Sequence, residues 1–302
     1  MKRWKYYVLR VAYLLLARLP PRFLYGIAHI VGDWAYLTRT PARRAVIKNM
    51  RQVMGPDASE REVRRTAREV FRNATRYYAD LITLPRMDLQ AFSEERLELE
   101  GVEYLEEAQA SGRGAVMVGV HFGNPEMAVQ GLSAAGIYLY VLSEPLSPPA
   151  LSDFTHWLRS HHGQEYRTVS FGAIKEGLRR LKQGNILAVL VDRDVGGTGV
   201  PIEFFGAEAS IPVGAIDIAL RTGADLIPAW AWRIDGYRFR AHVGPPLEVV
   251  RTGDFDEDVR ENTRRLLQIF EGRLRRDPGQ WAVLESIRPA PDGEPAATSS
   301  AT

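Results

Sequence analysis

From Gly101 onward the sequence alternates short apolar runs with amphipathic stretches, and that alternation restricts the chain to a sheet with helices on its faces. Ala115-Val116-Met117-Val118-Gly119-Val120 reads as a buried strand, followed by a helix from about Pro125 to Ala135. Further strands are predicted at Tyr138–Leu142, Arg167–Ser170, Ile186–Val191, Leu226–Trp232 and Arg238–Val243, with helices near 148–162, 171–183, 212–222 and 255–276. The expected class is α/β, with a mostly parallel central sheet flanked by helices.

Residues 1–90 follow a different period. Apolar positions recur at three- and four-residue spacing through 23–37, 44–54 and 59–84, so this part is predicted helical, with turns at Pro41 and Gly55-Pro56. The reading divides the chain into a helical N-terminal region (1–90), an α/β core (91–288) and a tail (289–302). The tail is rich in Pro, Ala, Gly, Ser and Thr and is expected to be disordered. No internal repeat is visible.

Charge is distributed unevenly. Residues 1–51 hold eleven Lys or Arg against the single acid Asp33, while the rest of the chain has 28 bases and 36 acids. The basic end is also greasy, with Trp4, Tyr6, Tyr7, Val8, Leu9, Val11, Tyr13, Leu14, Leu15 and Leu16 between Lys2 and Arg18. A spanning helix needs ~20 apolar residues, whereas this run is interrupted by Arg10 and stops at Pro20-Pro21. Residues 3–18 therefore read as a membrane-associating helix lying in the lipid interface, the alternative being a buried core helix. Leu16-Ala17-Arg18-Leu19-Pro20-Pro21 lacks a signal-peptide cleavage pattern. Basic residues mixed with aliphatics, on an acidic body, disfavour nucleic acid as a partner.

No cysteine is present, which removes disulfides, thiolate metal sites and a cysteine nucleophile. The chemistry must come from other side chains. In a parallel sheet the binding crevice lies beyond the carboxyl ends of the strands. His121 is the first residue after one predicted strand, and Asp192 and Asp194 follow another.

The segment Gly119-Val120-His121-Phe122-Gly123-Asn124-Pro125-Glu126 reads as strand, loop and helix start. Asn124 suits an N-cap and Pro125 the first helical position, which puts Glu126 in the first turn. A loop containing Gly123 allows Glu126 to fold back and accept a hydrogen bond from one imidazole nitrogen, leaving the other as a base toward a substrate hydroxyl. A satisfied histidine beside a capped helix is the plain structural alternative.

The His-Phe-Gly-Asn-x-Glu block resembles the first motif of the glycerolipid acyltransferase superfamily. The resemblance points to the branch of bacterial lipid A lauroyl and myristoyl acyltransferases and phosphatidylinositol mannoside acyltransferase. Other stretches are similar in order: Ala42 to Met50, Ser143-Glu144-Pro145-Leu146, Asp192 to Gly206 ending in Phe-Phe-Gly, Ala224 to Pro228, and Pro278-Gly279-Gln280-Trp281. Pro125 stands where the lipid A enzymes usually carry Trp or Tyr, and the Asp192 to Gly206 block looks nearer the mannoside type.

The resemblance implies an O-acyltransferase with His121 as general base and Glu126 as its orienting carboxylate. The acyl donor would be acyl-CoA or acyl carrier protein. The acceptor would be a hydroxyl of a membrane glycolipid or phospholipid, at the cytoplasmic face of the plasma membrane, with no cofactor and no metal. Glu144, Arg159, Asp192, Arg193 and Asp194 are the candidate substrate-binding residues. Arg159 and Arg193 suit phosphate, or else pair with Asp192 or Glu144. Asp192 and Asp194 either hold acceptor hydroxyls, help position His121, or simply form an Asp- and Gly-rich turn. Amides near Gly196, Gly197 and Gly199 are candidates for an oxyanion site or for a tight turn.

His161-His162 point different ways on a helix and read as surface residues rather than metal ligands. Two rival functions remain at this level, a non-catalytic lipid-binding protein and a lipid hydrolase. The hydrolase would need a Gly-x-Ser-x-Gly elbow or a run of metal ligands, and neither occurs.

Overall fold

The computed structural model describes residues 4–194 and 196–288. The predicted tail at 289–302 lies outside the described residues. Four helices open the chain: α1 (Trp4–Leu16), α2 (Pro21–Leu37), α3 (Pro41–Met54) and α4 (Glu60–Leu81). Their boundaries are chemically legible. Pro21 and Pro41 occupy first-turn positions, where the missing N–H costs nothing. Ser59 and Glu62 form a reciprocal capping box that starts α4.

The core continues as α5 (Leu89–Arg96), β1 (Leu97–Glu100), α6 (Val102–Ala110), β2 (Ala115–Gly119), α7 (Pro125–Ala134), β3 (Leu139–Ser143) and α8 (Pro149–Arg159). It is completed by β4 (Glu165–Thr168), α9 (Phe171–Leu181), β5 (Ile186–Leu190), β6 (Val200–Phe204), β7 (Ala207–Ile211), α10 (Gly214–Thr222), β8 (Asp225–Arg233), β9 (Phe239–Val243) and α11 (Phe255–Leu274). Seven strands form one sheet in the order β1-β9-β8-β2-β5-β3-β4. All pairings in it are parallel except β8 with β9, so the sheet is mostly parallel as expected. The central strand β2 is buried along its whole length, which is why it reads as an unbroken apolar run.

The predicted elements lack α5, α6, β1 and the β6–β7 hairpin. β1 is the four-residue Leu-Glu-Leu-Glu stretch, too short and polar to stand out. The β6–β7 hairpin forms a separate two-stranded sheet, turning at Phe205 and Gly206, both at positive φ.

Of the N-terminal helices, α1 and α2 leave one apolar face uncovered. No residue of α1 is buried, which disposes of the core-helix alternative. It leans on α8 by edge contacts of Tyr6 with Phe154 and of Tyr13 with Trp157. In α2, Leu24, Tyr25, Ala28, Gly32 and Tyr36 face inward. The opposite stripe, Phe23, Ile27, Ile30, Val31, Trp34 and Leu37, is exposed. Among the described residues, no helix is long and apolar enough to cross a membrane.

Candidate active site

The register of β2 against β5 sets the site. Gly119 lies opposite Leu190, and Val191 N donates to Gly119 O at 3.0 Å. Two residues further along each strand, His121 and Asp192 leave the sheet side by side. His121 Nδ1 lies 2.7 Å from Asp192 Oδ1, and the His121 backbone N–H donates to Asp192 Oδ2 at 2.8 Å. An ionised carboxylate only accepts, so Nδ1 carries the proton and Nε2 is left as the basic nitrogen.

Asp192 is fully buried at its side chain, whereas that of His121 remains 25% exposed. Burial alone would raise the Asp192 pKa. The His121 charge and hydrogen bonds from His121 and Trp281 outweigh it and hold the carboxyl below its ordinary value. Trp281 contributes its indole N–H, 2.7 Å from Asp192 Oδ2.

Trp281 is held there by backbone pairing. Gly123 N donates to Gln280 O at 2.9 Å, and Ala282 N to His121 O at 2.8 Å, so residues 280–282 clamp the histidine loop. Gly123 has φ +61°, and a Cβ there would sit 2.3 Å from Ala231 O, so only glycine fits. Two buried asparagines anchor the clamp from the helical region: Asn73 donates to Gly279 O at 2.7 Å and Asn49 to Glu285 O at 2.8 Å. The Pro-Gly-Gln-Trp stretch was visible in the sequence, but nothing there announced an indole aimed at Asp192.

Glu126 does not orient His121. Asn124 caps α7, accepting from Glu126 N at 3.1 Å, as the sequence indicated. The Glu126 carboxylate, however, points into a buried cluster. It accepts from Tyr77 at 2.9 Å and Tyr166 at 2.6 Å and faces Arg159 Nε at 2.9 Å. That Nε is not aligned for a hydrogen bond, so the contact is one of charge.

The helical geometry of α7 carries the side chain away from the loop, and Asp192, reaching across from β5, takes the place expected for Glu126. Burial would discharge Arg159, but Glu126 and the two phenols hold its pKa above the ordinary value. Burial keeps both phenols protonated as donors. Arg159 is thus the partner of Glu126, rather than of Asp192 or Glu144.

Arg193 and Glu144 do meet. Arg193 Nη1 is 3.1 Å from Glu144 Oε2, and its Nε pairs with Glu285. Burial raises the Glu144 pKa, while first Arg193 and then His121 pull it down, so Glu144 lies within the electrostatic reach of the histidine. His121, Asp192, Arg193 and Glu144 therefore form one polar group beyond the strand ends. Asp194 turns away into its own loop, accepting from Thr198 N, Gly199 N and the Ser210 hydroxyl. The Gly199 amide is consequently engaged in a turn. His162 Nε2 lies 2.9 Å from Leu84 O and His161 Nδ1 2.9 Å from Trp157 O. Among the described residues, no three His, Asp or Glu converge as metal ligands.

A histidine on a buried aspartate beyond parallel strand ends is shared by several reaction classes. The matched family decides between them: the model of the bacterial lipid A biosynthesis acyltransferases matches residues 1–286. The chain belongs to that family. Its reaction class is acyl transfer to lipid acceptors, which sets the hydrolase and binding-protein readings aside. The chain is similar to phosphatidylinositol mannoside acyltransferase of Mycobacterium tuberculosis (strain CDC 1551 / Oshkosh), 27% identical over 256 residues, covering 83% of this chain and 78% of that protein. It is 28% identical to the protein of the same name from Mycolicibacterium smegmatis over 214 residues, 70% of this chain and 68% of the other. The Escherichia coli lipid A biosynthesis lauroyltransferase is 26% identical over 225 residues, 71% and 69% of the two chains.

Proposed function

We propose that the chain transfers a fatty acyl group from an acyl thioester, acyl-CoA or acyl carrier protein, to a hydroxyl of a membrane glycolipid or phospholipid, with His121 as general base. The observation that carries this reading is the buried Asp192 on Nδ1, which in the neutral imidazole places the proton there and turns the lone pair of Nε2 outward. The acceptor O–H gives its proton to Nε2 as its oxygen attacks the thioester carbonyl. The tetrahedral intermediate then expels the thiolate, which takes the proton back from the imidazolium. Asp192 stabilises the cation between the two transfers.

Arg193 and Glu144, paired beside the histidine, are the groups placed to hold acceptor hydroxyls or phosphate. The relatives of higher identity, 27% and 28% against 26%, act, by name, on phosphatidylinositol mannoside, which supports a mannoside-like over a lipid A-like acceptor. The exposed apolar stripes of α1 and α2, flanked by Lys5, Arg10, Arg18 and Arg22, support peripheral seating on an anionic membrane face, the cytoplasmic one of the plasma membrane.

The test is turnover of labelled palmitoyl-CoA with a membrane lipid extract by wild type and His121→Ala, with mass analysis of the product. Product from the wild type alone, with vesicle binding retained in both proteins, is the expected result. Equal turnover by the two proteins overturns the mechanism.

A further inference from the structure

Between α4, the turn at 233–236 and the segment 276–280 lies a surface cavity of about 420 Å³. The chemistry proposed above does not use it. Arg65 and Arg76 of α4 and Arg276 line it, with Arg233 at its inner wall. Glu69, Asp235 and Asp277 line the cavity with them, and each of these carboxylates has a partner of its own. Glu69 pairs with Arg72 at 2.6 Å, Asp235 with Arg238 at 2.7 Å, and Asp80 with the buried Arg233. Asp277 accepts from the Gln280 side chain.

Among the described residues, Arg65, Arg76 and Arg276 have no ion-pair partner. Arg76 reaches only Asn73 Oδ1, at 2.7 Å, and its buried Nε has no hydrogen-bond partner. Burial, and after it the charge of Arg233, push Arg76 below the ordinary guanidinium value. Guanidiniums without a carboxylate partner around one cavity gain from an anion placed between them. Their planar forks match phosphate oxygens.

We propose that this cavity is a phosphate-binding site, taking the phosphate of a phospholipid headgroup or of the acyl donor. Its position favours the lipid. Thr75, beside Arg76 on α4, donates its hydroxyl to Ala28 O of α2 at 2.7 Å, which puts the cavity beside the helix that carries the exposed apolar stripe.

The test is calorimetric titration of inorganic phosphate into wild type, Arg65→Gln/Arg276→Gln, and the charge-matched control Arg61→Gln/Arg64→Gln on the same helix. Arg65 and Arg276 are exposed, so removing them leaves the core untouched. Saturable binding is expected in wild type and control, weakened about 25-fold in the cavity variant, at roughly fivefold per arginine. Competition by vesicles containing phosphatidylinositol, and not by neutral vesicles, assigns the site to a lipid; competition by CoA assigns it to the donor. Absence of saturable phosphate binding in the wild type, or equal weakening in the control, overturns the proposal. The readout is binding, so its failure leaves the acyl-transfer reading intact.

Discussion

The indole N–H of Trp281 donates to Asp192 Oδ2 at 2.7 Å, while the other oxygen of that carboxylate holds His121. Trp281 is fully buried and lies 89 positions from Asp192 in the chain. Trp281→Phe keeps most of the ring and deletes only the donor. One charge-assisted hydrogen bond of ~1.5 kcal/mol is lost, so kcat is expected to fall about tenfold with KM unmoved. Steady-state kinetics on both proteins check this; an unchanged kcat in a folded variant would remove Trp281 from the catalytic apparatus.

The two carboxylates near His121 separate by substitution. Asp192→Asn presents an amide to Nδ1 and favours the wrong tautomer, and a kcat loss on the order of 10³ or more is expected. Glu126→Gln leaves the His121–Asp192 pair in place and should act on stability first. Comparable kcat losses in both variants, at equal melting temperature, would return Glu126 to the role the sequence motif proposed for it.

Glu126 and Arg159 form a buried pair, with side-chain exposures of 11% and 14%. Removing one partner strands the other's charge, and Glu126→Gln or Arg159→Met is expected to cost ~3–5 kcal/mol. The double variant should recover part of that loss. Urea denaturation of the four proteins gives the coupling directly, and strictly additive losses would show the pair to be energetically independent.

Asp192 has its pKa held below the unfolded value, so its contribution to stability is present above the unfolded aspartate pKa of ~3.9 and is lost as pH falls through the still lower folded value. The melting-temperature gap between wild type and Asp192→Asn should be largest above about pH 5 and narrow below about pH 4. Thermal melts across that range check the sign. A gap that widens on acidification is the contrary result.

Ile30 and Trp34 are 72% and 68% exposed and belong to the outward stripe of α2. Ile30→Glu/Trp34→Glu removes apolar contacts with lipid worth ~1.5–3 kcal/mol each and touches no core residue, so vesicle partitioning should fall by at least about a hundredfold at unchanged melting temperature. Sedimentation with anionic vesicles measures it. Undiminished partitioning would place the membrane contact elsewhere.

The longer elements and the chemistry of their ends are legible in the sequence, because both depend on residues a few positions apart. Apolar period placed the buried strand β2, and the Asn124-Pro125 pair announced the start of α7, because capping is decided within a few residues. It also put His121 and Asp192 at strand ends. It could not say that these two would touch, because their contact depends on which strands pair and in what register: the parallel match of Gly119 with Leu190 carries one opposite the other. The same limit misplaced Glu126, five residues from His121 and therefore the nearer candidate along the chain, whose carboxylate follows the turn of α7 to Arg159. Trp281 and the exposed stripe of α2 were likewise decided by packing. Helical spacing identifies an apolar face, and only the folded body settles whether protein covers it.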